Sequence, residues 1–361
     1  MNRKNYILTL LDIPFKSIVV KYDYYLEGEV DFILNELKEI DPRGASTHIV
    51  LLNNHRVVIN LPSEQNLLIW NLQTRNIDSI LKGHTDVISV VRVLKDNRIV
   101  SVAEDDLIKI WNSDTGICEH TLSGHTSFVM LTEISSDNRI ISVENEGPNI
   151  RVWNPDTGNC ELVIRENLGF STSLLIMGNK IIVGVSDNDN FFIRIWDINS
   201  GKLLHSLKGH TSFINHLNIL DEQRIVSGSA DTTLRIWNLK TYTCEKILNG
   251  HRDSIVSILI MPDKTIISSS FDETLKIWKN GEKMSSLIHL TGVVSTLKIL
   301  PDGKLISASH DRILRIWDLD TFENRLIFTD HEGPIEGLLI LEDGGVISVG
   351  GPEDRFIIVW K

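Results

Sequence analysis

Leu234-Arg235-Ile236-Trp237 decides the fold of this chain, because versions of it recur at even intervals. Leu107-Ile108-Lys109-Ile110-Trp111 and Ile313-Leu314-Arg315-Ile316-Trp317 repeat its alternation of apolar and polar residues, which is typical of a half-buried β-strand. Successive tryptophans are 39 to 43 residues apart throughout the chain: Trp70, Trp111, Trp153, Trp196, Trp237, Trp278, Trp317 and Trp360. Self-similarity at this period predicts an array of eight supersecondary units.

Two further motifs recur in register with the tryptophans. A Gly-His pair lies 27 or 28 residues before the tryptophan, and the last unit has a variant of it: Gly83-His84, Gly124-His125, Gly209-His210, Gly250-His251 and Asp330-His331. A Ser followed four residues later by an Asp precedes the closing strand: Ser101 and Asp105, Ser227 and Asp231, Ser268 and Asp272, Ser307 and Asp311.

Together these motifs resemble those of the WD-repeat (WD40) β-propeller family, in style closest to F-box and BTB-type WD-repeat proteins. The resemblance covers roughly residues 46 to 361 and implies an all-β ring of four-stranded blades. It also implies a chain of hydrogen bonds, in which the indole N–H donates to a hydroxyl, the hydroxyl to an imidazole, and the imidazole to a carboxylate. Three units keep the full set: His84, Ser101, Asp105 and Trp111; His210, Ser227, Asp231 and Trp237; His251, Ser268, Asp272 and Trp278.

The other units are interpreted as eroded, that is, as having lost part of this set. They carry different residues at or near the places of His, hydroxyl and carboxylate: Leu290 in the seventh unit, Glu166 and Val183 in the fourth, and Asn60 and Glu64 in the first.

One unit can be laid out strand by strand on residues 76–112. We expect an outer strand that ends near Leu81, an inner strand over Val87–Leu94, a second strand over Arg98–Val102 and a third over Leu107–Trp111. Asp and Asn at the intervening turn fit a tight hairpin.

The ring needs one more strand, because the last unit stops at Trp360-Lys361, directly after its third strand. Eight blades are favoured over seven, since residues 49–70 reproduce the first three strands of a unit. The closing strand then comes from the N-terminal segment, with Tyr6–Leu11 and Ser17–Tyr24 as candidates. In a seven-bladed ring Asn76–Leu81 would close instead. The predicted division is residues 1–45, an N-terminal segment with the ring-closing strand, and 46–361, the propeller; Glu29–Ile40 fits a helix or a strand.

Composition narrows the class of protein. The formal net charge is −12, whereas nucleic-acid binding relies on clustered Lys and Arg. No apolar run reaches 18 residues, and the N-terminus lacks the pattern of a signal peptide. We therefore expect an intracellular protein, cytoplasmic or nuclear, that binds neither nucleic acid nor membrane and is monomeric by itself. Ala occurs only four times, which favours an AT-rich genome such as that of a protist or a large DNA virus.

Three polar patterns that resemble chemical sites are interpreted as structural. Cys118, Cys160 and Cys244 each follow a tryptophan by seven residues, which predicts three outer strands and no metal site. The oxygen-rich stretch 186–190 suggests calcium, but a solvated hairpin tip is favoured because the spacing of a calcium loop is missing. Ser, His and Asp recur in unit after unit, whereas a catalytic triad is needed once. No catalytic, metal-binding or cofactor-binding residue is predicted.

The predicted function is a non-catalytic scaffold that binds partner proteins or peptides on the face bearing the Gly-His loops. Exposed aromatic residues and nearby cations are the candidate contacts: Phe128, Phe213, Phe271, His310, Arg252, Arg312 and Arg355. Packing of the phenylalanines on neighbouring loops remains an alternative. A second candidate is the substrate receptor of a ubiquitin ligase, suggested by the Thr-Gly-x-Cys segments at 115–118 and 157–160. The short N-terminal segment and the scarcity of Arg on this face disfavour it.

Overall fold

The computed structural model describes residues 17–21, 49–53, 55–60, 65–74, 76–144, 149–166, 169–287, 291–319, 321, 324–351, 354 and 356–360. Within these residues all regular secondary structure is β, and 32 strands pair into eight antiparallel four-stranded sheets. Each sheet is a blade, numbered here in the order of its tryptophan along the chain.

The first four blades follow the chain without interruption. Blade 1 contains β2 (Ile49–Leu52), β3 (Arg56–Asn60), β4 (Leu67–Asn71) and β5 (Asn76–Leu81). Blade 2 contains β6 (Ile88–Val93), β7 (Ile99–Ala103), β8 (Ile108–Trp111) and β9 (Cys118–Leu122). Blade 3 contains β10 (Val129–Ile134), β11 (Ile140–Glu144), β12 (Asn149–Trp153) and β13 (Cys160–Arg165). Blade 4 contains β14 (Phe170–Met177), β15 (Lys180–Asp187), β16 (Asn190–Asp197) and β17 (Leu203–Lys208).

The next three blades have the same order. Blade 5 contains β18 (Ile214–Asp221), β19 (Arg224–Ser229), β20 (Leu234–Asn238) and β21 (Thr243–Leu248). Blade 6 contains β22 (Ile255–Ile260), β23 (Ile266–Ser270), β24 (Leu275–Lys279) and β25 (Glu282–Leu287). Blade 7 contains β26 (Val294–Ile299), β27 (Leu305–Ser309), β28 (Leu314–Trp317) and β29 (Asn324–Phe328).

Blade 8 is built from both ends of the chain. Its first three strands are β30 (Ile335–Ile340), β31 (Val346–Gly350) and β32 (Phe356–Trp360), and its outer strand is β1 (Ser17–Lys21). β1 runs antiparallel to β32, with Ser17 opposite Trp360. The predictions of eight blades and of an N-terminal closing strand are confirmed. Tyr6–Leu11, Glu29–Ile40 and the boundary near residue 45 lie outside the described residues.

The core lies between the blades. The second strands are fully buried, as in β7 and β11, because neighbouring blades cover both of their faces. The innermost strands contact one another in chain order, and β30 contacts β2, which completes the ring. Most of the periodic tryptophans are almost entirely buried, including Trp111 at 2% and Trp196 at 0% exposure. Replacing a core Trp by Ala typically costs about 3–5 kcal/mol, so the periodic tryptophans anchor the blades.

The connections form two opposite faces. Loops from an outer strand to the next inner strand, together with the turns between second and third strands, form what is called here the His face. Turns between first and second strands and between third and fourth strands form the opposite, turn face. The three cysteines lie on the outer strands β9, β13 and β21, as expected. The stretch 186–190 is a hairpin tip in which Asn188 and Asp189 adopt positive φ angles of 47° and 62°, as a two-residue turn requires.

Candidate functional site

Blade 5 shows the hydrogen-bonded chain of the His face in full. The Trp237 indole Nε1–H donates to Ser227 Oγ at 2.7 Å, and Ser227 Oγ donates to His210 Nε2 at 2.7 Å. His210 Nδ1–H donates to Asp231 Oδ2, also at 2.7 Å. These directions follow from the fact that an indole can only donate and a carboxylate can only accept. Gly209 precedes the histidine because a Cβ there would lie 3.0 Å from the Trp237 indole.

The electrostatics of this hydrogen-bonded network favour a neutral imidazole beside a charged carboxylate. Burial lowers the pKa of His210, although the hydrogen bond to Asp231 opposes the shift. Burial alone would raise the pKa of Asp231, but hydrogen bonds from His210 and Thr233 outweigh it and hold the pKa below the usual range. The buried polar atoms of the set therefore satisfy one another, and the set stabilises the blade.

The same connections join the other two predicted sets. In blade 2, His84 lies 2.8 Å from both Ser101 Oγ and Asp105 Oδ2, and Trp111 donates to Ser101. In blade 6, His251 contacts Ser268 at 2.8 Å and Asp272 at 2.9 Å, and Trp278 donates to Ser268 at 2.9 Å.

Two further blades have the network although the sequence interpretation had them as eroded. In blade 3 the carboxylate comes from Glu144, whose Oε1 lies 2.8 Å from His125 Nδ1. In blade 8 it comes from Asp354, 2.5 Å from His331 Nδ1. Hydroxyls complete both chains: Ser142 with Trp153, and Ser348 with Trp360. The interpretation failed because it required an Asp four residues after the Ser, whereas Glu144 follows Ser142 by two residues and Asp354 follows Ser348 by six.

Blade 1 lacks the hydroxyl of the set, as expected. In blade 2 the hydroxyl residue Ser101 lies opposite Lys109, two residues before the tryptophan. The equivalent residue of blade 1, Leu68, lies opposite Ile59, so Ile59 stands at the hydroxyl place and Asn60 is one residue beyond it. Asn60 instead donates through Nδ2 to the Ile88 carbonyl of blade 2 at 2.6 Å. Glu64 lies outside the described residues.

Blades 4 and 7 are incomplete, as expected. Val183 occupies the hydroxyl place in blade 4, and the buried Trp196 Nε1 has no hydrogen-bond partner among the described residues. Glu166 lies 3.8 Å from Arg194. In blade 7, Trp317 still donates to Ser307 at 2.8 Å, and Asp311 pairs with Arg315 at 2.7 Å; Leu290 lies outside the described residues.

Replacing Asp231 by Ala is expected to destabilise the protein by about 1–3 kcal/mol, because His210 and the Thr211 N–H lose their buried acceptor. Glu222→Ala, at an exposed turn position, serves as the control and is expected to change stability by about 0.5 kcal/mol or less. Chemical unfolding monitored by tryptophan fluorescence measures both variants. Equal stabilities would contradict a structural role for the carboxylate.

The predicted aromatic contacts reach solvent on the His face. Phe128 is 37% exposed, Phe213 41% and Phe271 53%. Phe213 also packs edge-on against Phe191, with ring centroids 5.3 Å apart. The alternative of packing on a neighbouring side chain thus applies in part to Phe213.

Two exposed apolar residues on the same face were not among the predicted contacts. Phe170 is 48% exposed and stands in blade 4 at the place of Phe128 and Phe213, directly before the first buried residue of an inner strand. Met130, in blade 3, is 44% exposed. Phe170 was missed because it was sought three residues after a Gly-His pair, which blade 4 lacks. The sequence of Phe170–Met177 offers no regular alternation that would have located it, and its place is recognised only from the pairing of β14 with β15.

The predicted polar contacts lie on blades 6 and 7. His310 and Arg252 are exposed and are held through their backbone N–H groups, by the Val293 carbonyl and by Asp272 respectively. Arg312 is exposed at a φ of 72° and donates to the Glu332 carbonyl at 3.2 Å. Arg355 lies outside the described residues.

Among the described residues, no group of three or more His, Cys, Asp or Glu side chains is placed to hold a metal ion. The same part of the chain contains no helix with the length and hydrophobicity needed to span a membrane.

Comparison with known proteins agrees with this architecture. The family model described as "WD domain, G-beta repeat" matches residues 75–112, 201–238, 242–279 and 281–318. No curated protein matches the chain. Among solved structures, the crystal structure of the computationally designed Ika8 protein is similar, with a TM-score of 0.76 and 24% identity over 88% of this chain and 96% of that one. At this identity the likeness shows the fold alone. The four matched repeats and the eight four-stranded blades together identify this chain as an eight-bladed β-propeller that contains WD40 repeats.

Proposed function

We propose that this chain is a non-catalytic scaffold that binds partner proteins or peptides on the His face of blades 3 to 6. WD40 propellers generally serve as protein-interaction scaffolds and are typically non-catalytic. The observation that carries the proposal is a run of exposed apolar side chains on four consecutive blades: Phe128, Met130, Phe170, Phe213 and Phe271.

These residues have the properties of a binding surface. Large apolar side chains lose favourable burial when they stand in water, and a group of them on one face marks an interaction site more often than a solvated tip. A few buried aromatic residues usually dominate the energy of an interface. Phe128, Phe170 and Phe213 occupy equivalent places on neighbouring blades, so one extended segment of a partner can contact them in turn.

The charges beside this surface are mixed. Arg252, His310 and Arg312 are exposed on blades 6 and 7, and so are Asp253 and Glu273 in the same loops. The apolar residues therefore carry the proposal, and we infer that the partner segment presents aromatic or aliphatic side chains to them.

The His, Ser and Asp residues of the same face support binding through rigidity and take no part in chemistry. Ser227 Oγ accepts from an indole and donates to His210, and its residue is fully buried. A nucleophilic serine needs access to substrate. The repeated sets instead fix the loops that carry the exposed residues.

Simultaneous replacement of Phe128, Phe213 and Phe271 by Ala is expected to abolish partner binding while leaving the melting temperature nearly unchanged. Each truncation of an interface anchor typically costs about 2 kcal/mol of binding energy. Affinity capture from the native cells, with quantitative mass spectrometry, compares the variant with the parent protein.

The matched control replaces three exposed isoleucines away from this surface, Ile77, Ile117 and Ile247. This variant is expected to retain the partners. The proposal fails if the folded phenylalanine variant captures the same proteins as the parent, or if it unfolds, which would show that the rings are packing residues.

A further inference from the structure

A cation stands two residues before the tryptophan in six of the eight blades. These cations lie on the third strands of blades 2 to 7: Lys109, Arg151, Arg194, Arg235, Lys276 and Arg315. All of them are at least partly buried. A charge that is removed from water is costly unless it is paired or hydrogen-bonded. Each of these cations is therefore expected to have an acceptor nearby.

Five of the six cations have such an acceptor. Lys109 donates to Thr121 Oγ1 at 3.0 Å, on the outer strand of its own blade. Arg151 donates to the Gly124 carbonyl. The other three pair with carboxylates at 2.7 to 3.9 Å: Arg194 with Glu166 and Asp187, Lys276 with Asp272, and Arg315 with Asp311.

Arg235 of blade 5 is the exception. Among the residues that the structure describes, its guanidinium has neither a hydrogen-bond acceptor nor a carboxylate oxygen within 4.0 Å. Its Nε is buried and unpaired. Ile247 lies opposite Arg235 on the outer strand, as Thr121 lies opposite Lys109 in blade 2. The side chain that supplies an oxygen in blade 2 is therefore apolar in blade 5.

Asp231, four residues before Arg235, does not compensate this charge. In blade 7 the aspartate at the same place pairs with its arginine at 2.7 Å. In blade 5, Asp231 Oδ2 instead accepts from His210 Nδ1 at 2.7 Å, and Oδ1 accepts from the Thr233 hydroxyl at 2.7 Å. Both oxygens are thus committed to the hydrogen-bonded set, and the guanidinium is left without an ion-pair partner.

The guanidinium of Arg235 is open to a ligand. Gly209 begins the loop beside it, and a Cβ at this residue would lie 2.7 Å from Nη1. Glycine therefore leaves the room that the guanidinium occupies. The side chain is partly exposed, and Nε is its one nitrogen that is fully enclosed and unpaired. Nη1 and Nη2 therefore remain accessible from solvent.

The chemistry of this group favours one kind of ligand. The planar fork of a guanidinium donates two parallel hydrogen bonds to a carboxylate. A carboxylate also matches its single positive charge, whereas a phosphate group carries nearly two negative charges at neutral pH and favours a cluster of cations. Partial burial strengthens such a pair relative to one in water.

We propose that Arg235 binds a carboxylate through Nη1 and Nη2. The carboxylate belongs to an Asp or Glu side chain of a partner polypeptide or to a small organic acid, and titration distinguishes the two sources. Arg235 is not one of the apolar residues of the His face, and this site is independent of the function proposed for them.

NMR of the ¹⁵N-labelled protein tests the proposal through the side-chain Nε–H of Arg235 and the backbone amide of Gly209 beside it. Titration with the blocked tripeptide acetyl-Gly-Glu-Gly-amide is expected to shift both signals in a saturable way. The Nε–H of Arg315, whose guanidinium is already paired, is expected to stay unchanged. The glutamine tripeptide is the neutral control and is expected to bind at least about tenfold more weakly.

Sodium acetate distinguishes the two sources of the carboxylate. Binding as tight as that of the glutamate tripeptide assigns the site to small acids, and weaker binding assigns it to a polypeptide. Inorganic phosphate is expected to bind no more tightly than acetate, because the site offers one cation.

Arg235→Gln is expected to remain folded, because it removes an unpaired charge, and to abolish the response of Gly209. Lys246→Gln is the matched control. It removes the same charge from an exposed residue next to Ile247, on the opposite face of β21, and is expected to bind like the parent protein. If Arg235→Gln does not fold, the Arg235 signal of the parent protein decides the matter.

Four results would overturn the carboxylate site. The first is the absence of a saturable shift with both the glutamate tripeptide and acetate. The others are equal binding of the glutamine tripeptide, tighter binding of phosphate than of either carboxylate, and a folded Arg235→Gln that responds like the parent protein. Loss of binding in Lys246→Gln would also contradict it, because the effect would then follow net charge and not this guanidinium.

Discussion

A chain that begins at residue 46 is expected to lose its soluble, cooperatively folded state. It lacks β1, so β32 becomes an unpaired edge, and exposed edges promote aggregation. Five residue pairs are lost with β1, and at about 0.5–1.5 kcal/mol for each hydrogen bond the cost is on the order of 3 kcal/mol. Size-exclusion chromatography and thermal unfolding measure the effect.

A chain that begins at residue 17 is the matched control, because it retains β1. It is expected to stay soluble and to unfold cooperatively. If the two truncated chains behave alike, the pairing of β1 with β32 does not hold the ring closed.

Acidification from a pH of about 7.5 to about 5.5 is expected to destabilise the protein, because buried histidines are harder to protonate in the folded chain than in the unfolded chain. Burial lowers the pKa of four histidines in the hydrogen-bonded sets: His84, His125, His210 and His251. The unfolded chain binds protons at these residues near the ordinary pKa of about 6.5, while the folded chain binds them only at a lower pH. Stability is therefore complete above this pH and decreases below it, by up to about 1.4 kcal/mol per pH unit for each histidine.

Urea unfolding at a series of pH values measures this dependence. His84→Gln removes one of these titrating groups, and we expect a lower stability at neutral pH but a shallower decrease on acidification. A parent protein equally stable at both ends of the pH range would show that the folded chain takes up protons as readily as the unfolded chain.

The sequence predicted the ring because its signals are local and repeated. The alternation before each tryptophan places the third strands, and the layout of residues 76–112 agrees with β5 to β8 to within one residue at each predicted boundary. The closing strand was predictable because the last unit lacks an outer strand. The N-terminal candidate Ser17–Tyr24 contains the observed β1.

The carboxylates of blades 3 and 8 were not predictable from a fixed spacing. A hydrogen bond requires only that an oxygen reach His125 or His331, and the chain can supply it from different positions. Glu144 does so from the end of β11, and Asp354 does so from the loop before β32. The position of the carboxylate in space, and not its distance along the chain, decides which residue accepts the hydrogen bond from the histidine.

The exposed apolar residues of the His face could be aligned only with the register of the blades. Phe170 is equivalent to Phe128 and Phe213 only once β14 is aligned with its neighbours. The signal lies in a comparison between blades.

The placement of β1 in blade 8 has a consequence for biosynthesis. Ser17 leaves the ribosome long before its partner Trp360 is made. Blades 1 to 7 contain only strands that are consecutive in the chain, so each can form during translation as its own strands emerge. Blade 8 has to wait until β32 has been made and then join strands that are far apart in sequence, which is intrinsically slow. We therefore expect nascent chains to accumulate as an open array that ring closure converts, in one late step, into the native protein.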